Sequence, residues 1–274
     1  MMVHTPLNVV VTGCVTHPDF TCVHRSLTNS YRIVPLAEVE QQLAAEVDLL
    51  VVLVDRVAAL NPRKVQAWID ANPLVPVMVV LSSLCEGALL RGNPWSGTIP
   101  VYWHKWPYCF AKFCWQRSHE NVTEWQQPQT ALAGDPRLAG LRMIFDPVTH
   151  NVIVSCRDKI SFAGYADLLS ELTPNVIWFE ATKKKRNAIP NEAMNAPHAL
   201  LIDADGWDEN LAPRLRAFHN DFPLAPKILV VGIFRSDLES RTTPFGVNQI
   251  LSKPLIDGEL TWALNISLAD YSSA

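Results

Sequence analysis

The stretch "PHALLIDADG", residues 197–206, decides how this chain is read. An apolar run from Ala199 to Ile202 meets Asp203, then Asp205 and a glycine. A short, fully apolar run of this kind reads as a buried parallel strand, here with acidic side chains at its C-terminal end. Fifty residues after Asp203 comes "LSKP", with Lys253 and Pro254. The question is whether that aspartate and that lysine form a working site.

A second copy of the pattern lies upstream. "ALLIDAD" at 199–205 is matched by "LLVVLVD" at 49–55, and "LRAFHNDFPLAPKILVV" at 215–231 by "VQAWIDANPLVPVMVV" at 65–80. At an offset of 150, Pro73 matches Pro223, Leu74 matches Leu224, Pro76 matches Pro226, and Trp68 matches Phe218. Near the start of each half, "NVVVTGC" from Asn8 pairs with "NVIVSC" from Asn151. Three matched segments in one order argue for tandem copies of one fold.

Each half alternates apolar strands with helical segments. In the first, "VVVTG", "YRIVPL", "DLLVVLVD", "VPVMVVL" and "IPVYWH" read as strands, and "AEVEQQLAA" and "NPRKVQAWIDA" as helices. Asn61 is an N-cap and Pro62 the first helical residue of the latter. The second half runs "NVIVSC", a helix over 159–172, "NVIWFEA", "HALLIDA", a helix over 208–220, "KILVVGI", "NQILSK" and a final helix over about 257–270. That alternation predicts an α/β chain with two tandem doubly wound parallel sheets. The boundaries expected are 1–125 for the first domain, 126–140 for a Gln-, Ala- and Pro-rich linker, and 141–274 for the second. A turn at Asp146–His150 would make a hairpin leading into the second domain.

Bulk properties narrow the function. A length of 274 residues, 49% apolar and 18% charged, supplies two sizeable cores. A net charge of −4 gives no footprint for nucleic acid. The one basic run, "KKKR" at 183–186, reads as a solvated segment. No signal peptide and no apolar segment of membrane-spanning length is visible, so the chain reads as soluble and cytoplasmic. Six cysteines show no disulfide spacing, and the glycosylation-type matches at Asn121 and Asn265 mean little without secretion. No glycine-rich phosphate loop and no nucleophile-elbow motif is present.

Each half resembles the receiver domain of bacterial two-component response regulators, most strongly over 197–255. Pro197 to Asp203 matches the family's approach to its phosphoacceptor at the end of the third strand, and Lys253-Pro254 matches its Lys-Pro after the fifth. The resemblance implies flavodoxin-like five-stranded sheets. It also implies a chemistry: an Asp carboxylate attacks a phosphoryl group, Mg²⁺ on acidic ligands bridges the oxygens, and a lysine neutralises charge. A fourth-strand hydroxyl and a fifth-strand aromatic then follow the phosphoryl group.

Both halves depart from that pattern. In the second, Ser155 and Cys156 stand where the acidic pair belongs, Gly232 at the switch hydroxyl and Ile250 at the switch aromatic. Asp158 is close by, preceded by Arg157, whose charge could fill the metal position. In the first, the acceptor position falls on Leu53, Asp55 aligns with Asp205, and Thr12-Gly13 replaces the acidic pair. Ser82 or Ser83 fits the hydroxyl position, Tyr102 the aromatic and Lys105 the lysine. The expected protein is therefore a non-catalytic signalling or scaffold protein of two degenerate receivers, without a cofactor, acting on other signalling proteins or on a second copy of itself. One alternative is a phosphorylatable regulator that uses Asp203 and Lys253 with Mg²⁺ on Asp158 or Asp205. Another is a flavodoxin-like enzyme with a pocket at the strand ends.

Two further clusters are weighed. Cys14, His17, Cys22 and His24 are metal-ligand types, but their spacing fits no standard zinc site, and they read as loop and helix residues. "VYWHKWPYCFAKFCW" at 101–115 offers Tyr102, Trp103, Trp106, Tyr108, Phe110, Phe113 and Trp115 either as a packed core or as an exposed contact for a partner. Cys109 and Cys114 are more than one helical turn apart, so no disulfide is expected between them.

Overall fold

The computed structural model describes residues 7–27, 31–39, 47–118, 151–170, 172–180, 199–205, 208 and 210–272. The chain divides into two compact units, Met1–Leu141 and Arg142–Ala274. The expected linker, the hairpin turn, the basic run and most of the helix predicted over 37–45 lie outside the described residues.

In the first unit β1 (Val9–Gly13), β2 (Tyr31–Ile33), β3 (Leu49–Val54), β4 (Val77–Leu81) and β5 (Ile99–Tyr102) form a parallel sheet in the order β2-β1-β3-β4-β5. In the second, β6 (Val152–Cys156), β7 (Val176–Glu180), β8 (Ala199–Ala204), β9 (Lys227–Val231) and β10 (Val247–Ser252) repeat it as β7-β6-β8-β9-β10. This is the flavodoxin-like order, in which the chain leaves the first strand in opposite directions and opens a crevice at the carboxyl ends of the strands. The β-branched runs predicted as central strands are buried along their length, as strands covered on both faces must be.

Helices α1 (Thr21–Leu27) and α3 (Trp106–Ser118) pack together in the first unit. Helix α2 (Pro62–Ala71) packs Val65 and Trp68 onto Val10, Val52 and Val79. Asn61 caps it, its side chain accepting from the Arg63 amide with Pro62 next in line, as predicted. In the second unit α4 (Lys159–Leu169) packs with α7 (Glu259–Ser272). Helix α5 (Leu211–Asp221) buries Leu211, Leu215 and Phe218 against Ile153, Leu200, Ile202 and Leu229. Between β9 and β10 lies the short α6 (Leu238–Thr242).

The matched prolines have a backbone reason. Pro76 and Pro226 each precede a strand, and their carbonyls accept from Leu50 and Leu200 at 3.0 and 2.9 Å. Proline offers the carbonyl while leaving no amide to satisfy, which suits the first residue before a strand. Trp68 and Phe218, matched in sequence, fill the same place in the two cores.

Candidate functional site: two crevices on one frame

Strand register brings equivalent positions into line. In the first unit Gly13 pairs with Leu53, which pairs with Val80. In the second, Ser155 pairs with Ile202, so Cys156 flanks Asp203, which pairs with Val230. Leu53 and Asp203 are therefore equivalent, as are Gly13 and Cys156. At the fifth strand Tyr102 pairs with Leu81, and Ser252 with Val231. The residue equivalent to Lys253 is thus Trp103, not Lys105, and Tyr102 takes the place of Ser252 rather than that of Ile250. A residue count from Asp55 misplaces both, because Asp55 is equivalent to Asp205 and lies two residues beyond Leu53, the true equivalent of Asp203.

The second crevice centres on Asp203. Lys253 Nζ lies 2.6 Å from Asp203 Oδ1 and 3.7 Å from Asp205 Oδ1. Asp203 is 10% exposed, whereas Asp205 is 91% exposed, so the ion pair to Asp203 is the shielded one. The peptide bond Lys253–Pro254 is cis. Three further side chains, none singled out from the sequence for this role, close around Asp203. Arg214, from α5, donates to the Asp203 carbonyl oxygen at 2.7 Å. Burial lowers the Arg214 pKa, and Asp208 and Asp203 oppose that fall. Burial raises the Tyr165 phenol, and the charge of Asp203 raises it further. Cys156 is pushed up to about 11, first by burial and then by Asp203.

Little here resembles a divalent-cation site. Asp158, the nearest acidic candidate after β6, is turned to α4. Its Oδ1 accepts from the amides of Ile160 and Ser161, and its Oδ2 from the Ser161 hydroxyl. Those bonds lower its pKa, the Ser161 amide most. Arg157 is exposed, and Arg214 is the cation whose guanidinium reaches Asp203. The side chain at the remaining acid-pair position, Ser155, is buried without a hydrogen-bond partner. Among the described residues no group of three or more His, Cys, Asp or Glu is placed to hold a metal ion. At the switch-hydroxyl position a Cβ on Gly232 would stand 2.9 Å from the Asp205 carbonyl oxygen, so the backbone approach that joins Gly232 N to Asp205 O leaves no room for serine or threonine.

The first crevice is filled differently. Gly13 has φ +97°, and a Cβ there would lie 2.1 Å from the Leu53 carbonyl oxygen. No acidic side chain fits that position on this backbone. Ser82 does occupy the hydroxyl position: its Oγ donates to the Asp55 carbonyl oxygen at 2.9 Å and accepts from the Leu84 amide. Asp19, from the turn after β1, reaches in with 4% of its side chain exposed, and its Oδ2 accepts from the Ser83 amide at 2.7 Å. His17 Nδ1 lies 3.7 Å from the same oxygen. His104 is driven down to about 4 by burial and by Lys105, with Asp19 opposing. Lys105 is buried in the turn that follows β5.

The remaining sequence candidates are settled by their contacts. His17 accepts from the Asp19 amide, Cys22 Sγ bonds the carbonyls of Asp19 and Trp103, and His24 bonds Val15 O and the Tyr31 hydroxyl. Of the aromatic group at 101–115, Trp103, Trp106, Tyr108 and Phe113 are buried, which removes them as exposed contacts for a partner. Tyr102, Phe110 and Trp115 are half-buried. Trp106 and Phe113 are buried on α3, which packs against α1, so that face is core. The six cysteines form no disulfide.

Strand order defines the chain as two flavodoxin-like units in tandem, the fold of receiver domains. The chain is similar to several solved structures. A signal receiver domain of an HD domain-containing protein from Pseudomonas fluorescens is 19% identical, covering 46% of this chain and 100% of its own, with a TM-score of 0.37. A Burkholderia pseudomallei protein described as related to pilus assembly is 20% identical over 47% of this chain and 96% of its own, with a TM-score of 0.37. A protein described as a two-component response regulator/GGDEF domain protein is 13% identical over 97% of this chain and 99% of its own, with a TM-score of 0.36. No protein-family model matches the chain, and no curated protein sequence does. Among the described residues no helix is long and apolar enough to cross a membrane.

Proposed function

We propose that the chain is a cytoplasmic signalling or scaffold protein that works through protein–protein contacts, with neither receiver-like domain acting as a Mg²⁺-dependent phosphoswitch. The domains are taken as 1–125 and 141–274, joined by 126–140. The observation that carries the reading is the flank of Asp203: Cys156 stands beside it and Asp158 caps a helix. A hard dication in that crevice would have to rely on Asp203 itself and the exposed Asp205, and Lys253 already neutralises Asp203. Phosphoryl transfer without the metal lacks its main stabiliser of charge. In the first crevice Leu53 has no nucleophile to offer.

The competing reading, phosphorylation of Asp203, draws support from the retained 2.6 Å pair with Lys253. Acetyl phosphate, or beryllofluoride, with Mg²⁺ separates the two. Intact mass and Mg²⁺-dependent Trp fluorescence should stay unchanged. An acid-labile phosphate adduct that disappears in Asp203→Asn would sink the proposal.

A further inference from the structure

Among the described residues of the first unit, Asp19 is the only buried carboxylate. Its neighbour in sequence, His17, stands with Nδ1 3.7 Å from Oδ2. Its Oδ2 reaches across the carboxyl edge of the sheet to the Ser83 amide, 64 residues away, at 2.7 Å. Ser83 follows Ser82, which ties the same loop down twice more, through Asp55 O and the Leu84 amide. The Ser82 amide itself bonds Val54 O. In this fold the crevice over the strand ends is where a ligand is received, and backbone amides there suit an anion. Asp19 puts an anion in that place from within the chain. His17 Nδ1 lies 3.7 Å from the carboxylate, and the charge of Asp19 opposes the lowering of the His104 ring.

We propose that the first crevice is an anion site liganded by its own chain. Asp19 serves as a tethered carboxylate that holds the loop leaving β4 in one permanent conformation, so the first unit presents a fixed surface that no exchangeable anion controls. This goes beyond the function proposed above, which concerns whether either unit acts as a phosphoswitch, and an adduct at Asp203 would leave it standing. A charge-assisted bond of this kind stabilises its loop enough to slow local opening about tenfold or more.

The test is residue-resolved amide exchange on the full chain, in wild type, Asp19→Ala and Asp19→Asn, with added sodium formate and with sodium chloride as the salt control. In the wild type the Ser83 amide is expected to be protected. In Asp19→Ala the amides of Ser83 and the following loop should exchange about tenfold faster or more, while Val51 and Val79 keep their protection. Formate, the size of the lost carboxylate group, should restore the loop, and chloride should not. Three results overturn the proposal: a Ser83 amide unprotected in the wild type, a loop unchanged in Asp19→Ala, or a loss that formate fails to restore. Should Asp19→Ala not fold, Asp19→Asn decides. It keeps the shape and an acceptor oxygen but not the charge, so wild-type protection there also overturns the proposal.

Discussion

At the end of its third strand the first unit carries Leu53 where the second carries Asp203. One strand over it carries Gly13 where the second carries Cys156. After the fourth strand it carries Ser82 where the second carries Gly232, and after the fifth Trp103 where the second carries Lys253. These four positions differ, while Asp55 and Asp205 match and the positions that build the sheets correspond. The frame depends on apolar burial, which many residues satisfy. A catalytic crevice depends on particular charges at particular distances, and losing one charge leaves the others without a partner. Each unit fills its crevice with a different internal contact. The second sets Lys253 against Asp203, and the first brings in Asp19 from a turn.

The sharpest attack on the claim of a common frame is at its largest side chains. Trp68→Ala and Phe218→Ala should each cost about 3–5 kcal/mol in their own unit, read as loss of strand amide protection in that unit. A large loss in one and none in the other would show that the two cores are not built alike. The crevice backbones should differ next. Gly13→Ala meets both a positive φ and the Leu53 carbonyl, and is expected to cost about 3 kcal/mol, whereas Cys156→Ala at the equivalent position should cost about 1 kcal/mol. Equal denaturation midpoints for the two variants would remove the distinction drawn between them.

Acid should act on the first unit through His104. Its folded pKa of about 4 lies below the ordinary value of 6.5, so as pH falls the unfolded chain takes up this proton first. Stability should therefore fall between pH 6.5 and pH 4 and level off below, by no more than about 3 kcal/mol and by less for a ring that keeps some solvent contact. In His104→Gln the slope over that window should flatten. An unchanged slope would move the effect to other groups. The smallest effect belongs to the second crevice. Asp203→Asn removes one of the two main causes that hold Cys156 near 11, while burial remains. Thiolate absorbance should then titrate lower than in the wild type but still above the ordinary 9.0. No movement at all would place the charge of Asp203 farther from the thiol than the register implies.

Much of the frame was legible in the residues. Continuous runs such as Leu49–Val54 and Lys227–Val231 mark central parallel strands because nothing polar interrupts them. Asn61-Pro62 marks a helix start because cap and first residue each satisfy a local need. Helix ends were less exact: the helix expected over 208–220 runs over Leu211–Asp221, since Asp208 accepts from the Asn210 and Leu211 amides ahead of it. Asp203 and Lys253 were found through the resemblance to receiver domains, whose motif spacing they match. Arg214, Tyr165 and Asp19 were not, because each reaches its crevice from a helix or turn whose direction no local pattern encodes. The Lys105 and Tyr102 assignments failed because they were counted from Asp55; the offset of 150 that relates the two halves puts Trp103 opposite Lys253, as the strand register does.

By itself, then, the sequence determined the repeated α/β layout and the strands, because these depend on which residue types occur at which spacing. The tertiary structure alone decided which side chains face each other across the strand ends: Arg214 against the Asp203 carbonyl, Asp19 on the Ser83 amide, Asp158 turned away to cap a helix. Contacts over tens of residues follow from how helices pack on a twisted sheet, and that packing is a property of the whole unit.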